Sequence, residues 1–260
     1  MKKSDFSGKV AIVTGASSGI GMATALALAK RRVKVTLAAR RCDLLQHLAQ
    51  QIEEMGGEAL PITTDISSRD HVRGMVMATL KKWDQVDMLI SNAGQYIRAP
   101  ISDMTFYELE QSMAVNFYGG VYAIMEVLPH MLARRSGHIV LVSSIDAKKP
   151  LPIDAPYVAA KCALSGFGEV LRQELHGSGV YASTVYPGRV DTGMIDDLKV
   201  PWISRKIPPE AVTAAILTAI ERKKPEVMLP FQAGLLVYTN LFFPRFADWI
   251  ARVLRLEGWN

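Results

Sequence analysis

Short apolar runs recur along the chain, and longer segments of mixed polarity lie between them. Parallel strands that helices cover on both faces have this continuous apolar character, whereas strands with one wet face alternate. Six clear runs and one weaker run predict seven strands. The predicted strands are 9–14, 33–39, 58–62, 86–91, 137–143, 180–186 and 226–230, and the predicted helices are 20–31, 43–56, 68–84, 105–134, 156–177 and 208–223. In the long helix 105–134 we predict a local distortion near Gly119 and Gly120.

This alternation of strands and helices is typical of a parallel sheet with right-handed crossovers. We therefore predict an α/β fold, a Rossmann-type doubly wound parallel sheet of about seven strands with helices on both faces. A chain of 260 residues is long enough for one such domain. We place a single catalytic domain at 1–230, followed by an apolar and amphipathic extension at 231–260. Ligands of such sheets bind beyond the carboxyl ends of the strands, where the strand order reverses.

Composition and charge narrow the function classes only slightly. Hydrophobic residues make up 49% and charged residues 21%, as in ordinary globular proteins. Cys42 and Cys162 lack metal-ligand spacing, which favours two reduced thiols over a disulfide or a zinc site. No apolar segment near the N-terminus resembles a signal peptide, so we expect a cytoplasmic protein. The net charge of +5 suits a polyphosphate cofactor or anionic lipid, but no motif for nucleic-acid binding accompanies it, so we expect no nucleic-acid partner.

The segment TGASSGIG at 14–21 follows the first predicted strand and opens the first helix. Glycines in such a turn let the backbone approach a pyrophosphate, which then lies at the N-terminus of the helix. The spacing differs from the usual G-x-G-x-x-G, and an ordinary glycine-rich turn is the alternative. We expect a nucleotide to bind here, in contact with Gly15, Ser17, Ser18, Gly19, Ile20 and Gly21.

The end of the second strand bears on the choice of nucleotide. An acidic residue at this place holds the ribose hydroxyls of NAD, whereas an arginine accommodates the 2′-phosphate of NADP. Ala39 occupies the acidic position, and Arg40 and Arg41 follow it. We therefore predict NADP (NADPH) as cofactor, with Arg40 favoured over Arg41; a solvated pair of arginines is the alternative.

Two further strand ends carry polar or flexible residues at the same edge of the sheet. Asp65 and Ile66 follow the third strand, and we expect the Asp65 carboxylate to accept a hydrogen bond from an adenine amino group. Asn92, Ala93 and Gly94 follow the fourth strand and provide a turn beside the nucleotide. Ordinary turn chemistry is the alternative at both places.

Tyr157 and Lys161 stand four residues apart among small and apolar residues, so a helix places both on one face. Ser144 ends the fifth strand thirteen residues before Tyr157. Together with the turns above, Asn116 and the pair Pro187 and Gly188, these residues follow one order and spacing. In these features the chain resembles the short-chain dehydrogenase/reductase family over nearly its whole length.

The resemblance implies hydride transfer between a nicotinamide and a carbonyl or alcohol carbon. Tyr157 would be the proton donor or acceptor, Ser144 would hydrogen-bond the substrate oxygen, and Lys161 would bind the nicotinamide ribose. We expect the Lys161 cation and an oxidised nicotinamide to lower the pKa of Tyr157. By the same resemblance Asn116 positions a water that links Lys161 to solvent. Further contacts to the nicotinamide are implied for Pro187, Gly188, Val190 and Thr192.

Two positions depart from the family pattern. Family members often carry a glycine three residues beyond the serine, where this chain has Ala147. Asp146, just before it, is either a solvated loop residue, which we favour, or a residue at the substrate mouth that selects a hydroxyl or an amine. An asparagine commonly precedes Asn92, and this chain has Ser91.

The composition shifts after Pro230. Thirteen uncharged residues separate Pro230 from Pro244, fewer than the roughly 20 that a helix needs to span a bilayer. The next segment is amphipathic. Two interpretations stay open: the extension packs over the substrate cleft or a second subunit, or it lies on a membrane with its arginines facing anionic lipid. The predicted apolar face consists of Phe246, Trp249, Ile250, Val253 and Leu254.

These observations predict an NADP(H)-dependent oxidoreductase that acts on a carbonyl or secondary alcohol. The apolar extension and the predicted lid at 194–209 suggest a lipophilic substrate such as a steroid, a retinoid or an acyl chain. The resemblance also implies a homodimer or homotetramer. The alternative is a non-catalytic protein that senses NADP(H) on the same fold, although such proteins tend to lose the tyrosine or the lysine.

Overall fold

The fold is seen in a computed structural model that describes residues 6–258. Residues 1–5 and 259–260 of the predicted domain and extension lie outside the described residues. Seven parallel strands form one sheet, and each predicted strand is present with ends within two residues of the prediction. The strands are β1 Val10–Thr14, β2 Lys34–Ala39, β3 Ala59–Thr63, β4 Met88–Ser91, β5 Gly137–Val142, β6 Val180–Pro187 and β7 Glu226–Leu229.

The strand order is β3-β2-β1-β4-β5-β6-β7, so the winding direction reverses between β1 and β4. This confirms the doubly wound Rossmann-type sheet and locates its ligand crevice. The helices are α1 Gly19–Ala29, α2 Cys42–Glu54, α3 Arg69–Trp83, α4 Phe106–Met113, α5 Gly119–Ala133, α6 Ala155–Glu174, α7 Pro209–Arg222, α8 Phe231–Phe242 and α9 Pro244–Val253.

Two apolar cores lie on opposite faces of the sheet. Successive side chains of β1 point to opposite faces, so Val13 belongs to the core under α1, α2 and α7, whereas Ile12 belongs to the core under α3, α5 and α6. Both faces of the central strands are therefore dry, which explains why their sequences read as unbroken apolar runs.

The segment 105–134, predicted as one helix with a distortion near its glycines, is interrupted as that prediction expects. A capping box between Thr105 and Glu108 starts α4, and a π-helical turn at Ala114–Tyr118 separates α4 from α5. Gly119 follows the turn, and a Cβ there would lie 2.6 Å from Ile66 Cγ1. Close approach of this helix to the end of β3 therefore requires glycine.

The extension after β7 folds as the two helices α8 and α9, which pack against each other. Between residues 6 and 258, none of the helices has both the length and the apolar character needed to cross a bilayer. Cys42 and Cys162 are free thiols.

Candidate active site

The glycine turn after β1 interlocks with the turn after β4. The Thr14 hydroxyl accepts hydrogen bonds from the backbone N–H groups of Asn92 and Ala93, both at 3.0 Å, and the Asn92 amide donates to the Thr14 carbonyl at 2.9 Å. A Cβ on Gly15 would lie 2.9 Å from Ala93 Cα. The two turns therefore form one rigid unit at the point where the strand order reverses.

The start of α1 is suited to an anion. Gly15 and Gly19 have backbone φ angles of +68° and +55°, which residues other than glycine rarely adopt. The Ser18 side chain does not cap α1, and no acidic residue stands in the first turn of the helix. The N–H groups of that turn therefore keep their capacity for a phosphate. By these features the residues present fit a dinucleotide, and the glycine turn would hold its pyrophosphate.

Arg41, rather than Arg40, contacts the glycine turn. Its guanidinium donates to Ser17 Oγ at 2.9 Å and to Ser18 Oγ at 2.8 Å. Arg40 instead lies near Asp65 and contributes to the lowered pKa of that carboxyl, although hydrogen bonds from Ser67 contribute more. The geometry of the turn favours Arg41 as the cation beside it, and a contact of Arg40 with the nucleotide stays a prediction.

Ser144, Tyr157 and Lys161 meet beyond the carboxyl end of β5. Ser144 lies two residues after the end of β5, at the start of the loop that leads to α6, while Tyr157 and Lys161 lie one turn apart on α6. Lys161 Nζ donates to the Val142 carbonyl at 2.9 Å and lies 5.7 Å from the centre of the Tyr157 ring. The cluster therefore brings together a hydroxyl, a phenol and a cation around one side of the cleft.

The protein groups around Tyr157 shift its pKa upward, and the lowering expected with an oxidised nicotinamide stays a prediction. Burial raises the pKa of Tyr157 above its usual value, the carboxyls of Asp146 and Asp154 add to that shift, and a hydrogen bond to Ser144 opposes it. Burial also lowers the pKa of Lys161 to about 8. The phenol is therefore protonated at neutral pH, which is the form that a proton donor in carbonyl reduction must have.

Asn116 lies buried in the π-helical turn, and its amide is engaged with main chain. Its Oδ1 accepts from the Gln95 N–H at 3.0 Å, and its Nδ2 donates to the Gln95 carbonyl at 2.8 Å. A Cβ on Gly94 would lie 3.0 Å from that oxygen and 3.6 Å from Lys161 Nζ. The side chain fixes the loop after β4 next to Lys161, and its role toward a water stays a prediction.

Asp146 is not the solvated loop residue that we favoured. It stands in a short 3-10 turn at Ile145–Ala147, and its carboxylate accepts a hydrogen bond from Ser144 Oγ at 3.0 Å. The sequence could not reveal this contact because it depends on how the turn after β5 folds back onto its own first residue. The alternative interpretation, a place at the substrate mouth, matches the structure.

A cavity of about 480 Å³ opens beside this cluster. The segment after β6 and the C-terminal helices contribute mostly apolar residues to its lining. The predicted lid contributes Ile195, Leu198 and Ile203, and α8 and α9 contribute Leu235, Leu236 and Ile250. The extension thus packs over the cleft, as the first of its two interpretations expected. This finding does not bear on the second interpretation, contact with a membrane.

Most predicted site residues line this cavity, and a smaller group lies outside it. The residues in its wall are Gly15, Ser18, Gly19, Ile20, Asn92, Ala93, Gly94, Asn116, Ser144, Tyr157, Lys161, Pro187, Gly188, Val190 and Thr192. Those outside the wall are Ser17, Gly21, Arg40, Arg41, Asp65 and Ile66.

Several polar residues of the cleft escaped the sequence analysis. Tyr96 packs edge-on against Tyr157 with ring centres 4.9 Å apart. Arg98 pairs with the buried Asp154 at 2.9 Å and also donates to the Glu257 carbonyl at 2.8 Å. Arg189 donates to Ser204 Oγ at 2.8 Å and to the Leu256 carbonyl. These contacts join residues far apart in sequence, so no local pattern could indicate them.

Comparison with known proteins agrees with this arrangement. The family model described as short chain dehydrogenase matches residues 9–200. An uncharacterized oxidoreductase of Listeria innocua is 38% identical over 192 residues, which cover 73% of this chain and 77% of that protein. Fatty acyl-CoA reductase of Acinetobacter baylyi is 34% identical over 223 residues, which cover 84% of this chain and 75% of that enzyme.

Solved structures give the same result. A short-chain type dehydrogenase/reductase from Mycobacterium marinum superposes with a TM-score of 0.80 at 28% identity, covering 86% of this chain and 94% of that one. An alcohol dehydrogenase from Thermococcus sibiricus, complexed with 5-hydroxy-NADP, gives a TM-score of 0.77 at 27% identity, covering 85% and 95%.

Proposed function

From the premise that this chain belongs to the short-chain dehydrogenase/reductase family and is an oxidoreductase of that type, we propose that it reduces a lipophilic carbonyl compound with NADPH. The observation that carries the proposal is the cluster of Ser144, Tyr157 and Lys161 facing an apolar cavity. A bound nicotinamide would supply the hydride in such a site.

The residues of the cluster divide the remaining work. Tyr157, protonated at neutral pH, donates its proton to the substrate oxygen as that oxygen gains negative charge. Ser144 positions the same oxygen by a hydrogen bond. The Lys161 ammonium provides positive charge beside the phenol. Carbonyl reduction uses the protonated phenol, which is the form present at neutral pH, whereas alcohol oxidation would need the phenolate.

The preference for NADPH follows from the end of β2. Ala39 leaves no carboxylate to bind the ribose hydroxyls of NAD, and such a carboxylate would repel a 2′-phosphate. The Arg41 guanidinium is held beside the turn by Ser17 and Ser18, so a cation is already in place for that phosphate. The complex of the Thermococcus alcohol dehydrogenase with 5-hydroxy-NADP is in keeping with this choice.

The preference for a lipophilic substrate follows from the wall of the cavity. The residues that the lid, α8 and α9 contribute to the lining are mostly aliphatic. Burying an apolar chain against them is favourable by about 25 cal/mol per Å². The name of the Acinetobacter relative, fatty acyl-CoA reductase, is in keeping with an acyl chain.

We further propose that α8 and α9 rest on an anionic membrane surface. None of the twelve residues of α8 is buried, and Leu241, Phe242 and Phe243 are each about two-thirds exposed. Arg245 and Arg252 stand on the adjoining α9. Large aromatic side chains beside arginines match an anionic lipid surface better than the polar surface of a second protein chain. A lipophilic substrate would then reach the cavity directly from the bilayer.

Reductase activity is tested by following the oxidation of NADPH, and separately of NADH, with carbonyl compounds of increasing size. The panel runs from small aldehydes to long-chain acyl, retinoid and steroid carbonyls. Turnover with NADPH and a large apolar carbonyl is expected. Turnover confined to small polar carbonyls, or equal with NADH, would contradict the substrate or the cofactor assignment respectively.

Membrane contact is tested by sedimentation of the full chain with vesicles of phosphatidylglycerol and of phosphatidylcholine. We expect sedimentation with the anionic vesicles and its loss in Phe242→Glu. Met77→Glu is the matched control, because Met77 is 56% exposed on the distant α3. Equal sedimentation of wild type and Phe242→Glu would reject the membrane proposal. A wild-type chain that stays out of both vesicle pellets and forms a dimer that Phe242→Glu disrupts would assign the surface to a second copy instead.

A further inference from the structure

Asp146 contacts Ser144 twice. Its carboxylate oxygen Oδ2 accepts the Ser144 hydroxyl proton at 3.0 Å, and its backbone N–H donates to Ser144 Oγ at 3.1 Å. Ser144 is buried, and both residues line the cavity. The carboxylate is therefore bound to the same hydroxyl that the proposed reaction uses.

The protonation state of Asp146 decides where the Ser144 hydroxyl can donate its hydrogen bond. A serine hydroxyl has a single proton to donate. When Asp146 is a carboxylate, it can only accept, so it takes that proton and leaves Ser144 without a donor for a substrate oxygen. When Asp146 is protonated, its own O–H can donate to Ser144 Oγ, and the Ser144 hydroxyl is released to donate elsewhere.

We propose that Asp146 is a positioning residue whose own proton sets the direction of the Ser144 hydroxyl, so that Ser144 donates to the substrate oxygen only while Asp146 is a neutral acid. This inference rests on the proposed reductase function. It assigns a role to the residue just before Ala147, the position at which the chain departs from the pattern of its family.

The surroundings of Asp146 raise its pKa, so that it becomes neutral at a higher pH than an ordinary aspartate. Burial, and then the neighbouring carboxyl of Asp154, raise the pKa of Asp146 to about 6, while its bond to Ser144 and the guanidinium groups of Arg189 and Arg98 oppose the rise. On its own loop, Lys148 and Lys149 are paired with other carboxylates. The helix α8, which packs against the same turn, has no charged residue. The titratable or charged groups that face Asp146 are Tyr96, Arg98, Asp154, Tyr157, Cys162 and Arg189.

Ionisation of Asp146 should lower the rate of carbonyl reduction. Removing one hydrogen-bond donor from a developing oxyanion costs about 100- to 1,000-fold in rate. Ionised Asp146 also places negative charge near the oxygen that gains charge during reduction. Reduction should therefore be fastest while Asp146 is protonated and should slow as pH rises through its pKa.

The test compares kcat/KM for carbonyl reduction in wild type and Asp146→Asn across the range from about pH 5 to pH 8. Asparagine has the shape of the neutral acid, and its Nδ2 can donate to Ser144 at every pH. Asp103→Asn is the matched control, because Asp103 is an exposed aspartate in the loop before α4. At each pH, kcat/KM of the variant is divided by kcat/KM of wild type. This ratio removes the effect of every other titrating group that the two enzymes share.

We expect this ratio to be near one at low pH and to rise about tenfold per pH unit above pH 6, reaching about 100-fold near pH 8. The ratio for Asp103→Asn should stay constant. A constant ratio for Asp146→Asn would overturn the inference. So would a variant with a raised KM at every pH, which would instead assign Asp146 to direct binding of a substrate hydroxyl or amine.

A second readout needs no turnover. In protein labelled with ¹³C at the aspartate carboxyls, the Asp146 resonance is the one that Asp146→Asn removes. Its titration midpoint should lie well above the ordinary aspartate value of about 3.9. A midpoint at the ordinary value would overturn the inference, whereas a raised midpoint in a protein that turns over no carbonyl would count against the proposed function and not against the state of Asp146.

Discussion

Arg41 is the residue on which the choice of nucleotide depends. It extends from the end of β2 across the glycine turn, and it is held there by the hydroxyls of Ser17 and Ser18. A guanidinium that is already positioned loses less side-chain freedom when it pairs with a phosphate than a freely moving one. The pairing should therefore be specific for the 2′-phosphate, which NADH lacks.

Replacing Arg41 with alanine should weaken NADPH binding by about 10- to 100-fold, because a hydrogen-bonded charge pair is lost. NADH binding should change by less than about twofold, since NADH has no 2′-phosphate for Arg41 to bind. Titration of nucleotide fluorescence measures both affinities. Arg73→Ala, on the exposed side of α3, removes the same charge elsewhere and serves as control. Equal weakening of both nucleotides in Arg41→Ala would argue against a 2′-phosphate contact.

The sequence predicts the individual site residues unevenly. Ser144 can be predicted from the sequence because it follows a strand. Tyr157 and Lys161 can be predicted because their spacing places them on one helix face. The contact between Asp146 and Ser144 cannot be predicted from the sequence, because it depends on the conformation of one short turn. The raised pKa of Tyr157 also depends on burial and on Asp154, which only the folded cleft provides.

At the scale of elements, the π-helical turn between α4 and α5 positions one wall of the site. It holds Asn116 buried against the loop after β4, and Gly119 lets the following helix approach Ile66. The strands were predictable to within two residues because continuous apolar runs report burial on both faces. The break in the helix was predictable only as a distortion, since no local pattern encodes the extra residue of a π turn.

Gly119→Ala should lower the free energy of unfolding by about 1–3 kcal/mol, because the added Cβ would meet Ile66 at 2.6 Å. Gly74→Ala is the matched control: this helical glycine in α3 has no neighbour within 4 Å of an added Cβ. Alanine there should raise the free energy of unfolding by about 0.5–1 kcal/mol. Urea denaturation compares the two. Equal effects of both substitutions would contradict the close approach of α5 to β3.

At the scale of the whole molecule, contacts link the described part of the C-terminal extension to the loops around the reactive cluster. Arg98 bridges Asp154 and the Glu257 carbonyl, and Lys149 pairs with Asp248 of α9. The sequence predicts that the extension is apolar and amphipathic, but not which side chains face the protein. On α9, Ala247 and Ala251 are buried, whereas Trp249 and other members of the predicted face are exposed. Packing against a distant loop, rather than periodicity, decides this orientation.

The stability of the whole fold should depend on His138 in mildly acidic solution. This buried histidine of β5 binds Ser183, and burial followed by the charge of Lys223 lowers its pKa to about 4. Between that value and the ordinary value of about 6.5, the unfolded chain binds a proton that the folded chain does not. The histidine should therefore stabilise the fold fully above pH 6.5 and cost up to about 3 kcal/mol by pH 4.

Denaturation at a series of pH values measures this slope. His138→Gln, which keeps a hydrogen-bonding group without titrating, should show a smaller loss of stability between about pH 6.5 and pH 4. His130→Gln is the control, because the His130 side chain is exposed on α5. Identical slopes in wild type and His138→Gln would show that His138 titrates normally.

The most direct test of the central claim is the rate of NADPH oxidation by wild type and Tyr157→Phe, with the affinity for NADPH measured on the same samples. Removing only the phenolic hydroxyl should lower carbonyl reduction by at least about 100-fold, because the proton donor is lost. NADPH affinity should stay within about twofold, because the glycine turn and Arg41 are untouched. Undiminished turnover in Tyr157→Phe would contradict the proposed reductase mechanism.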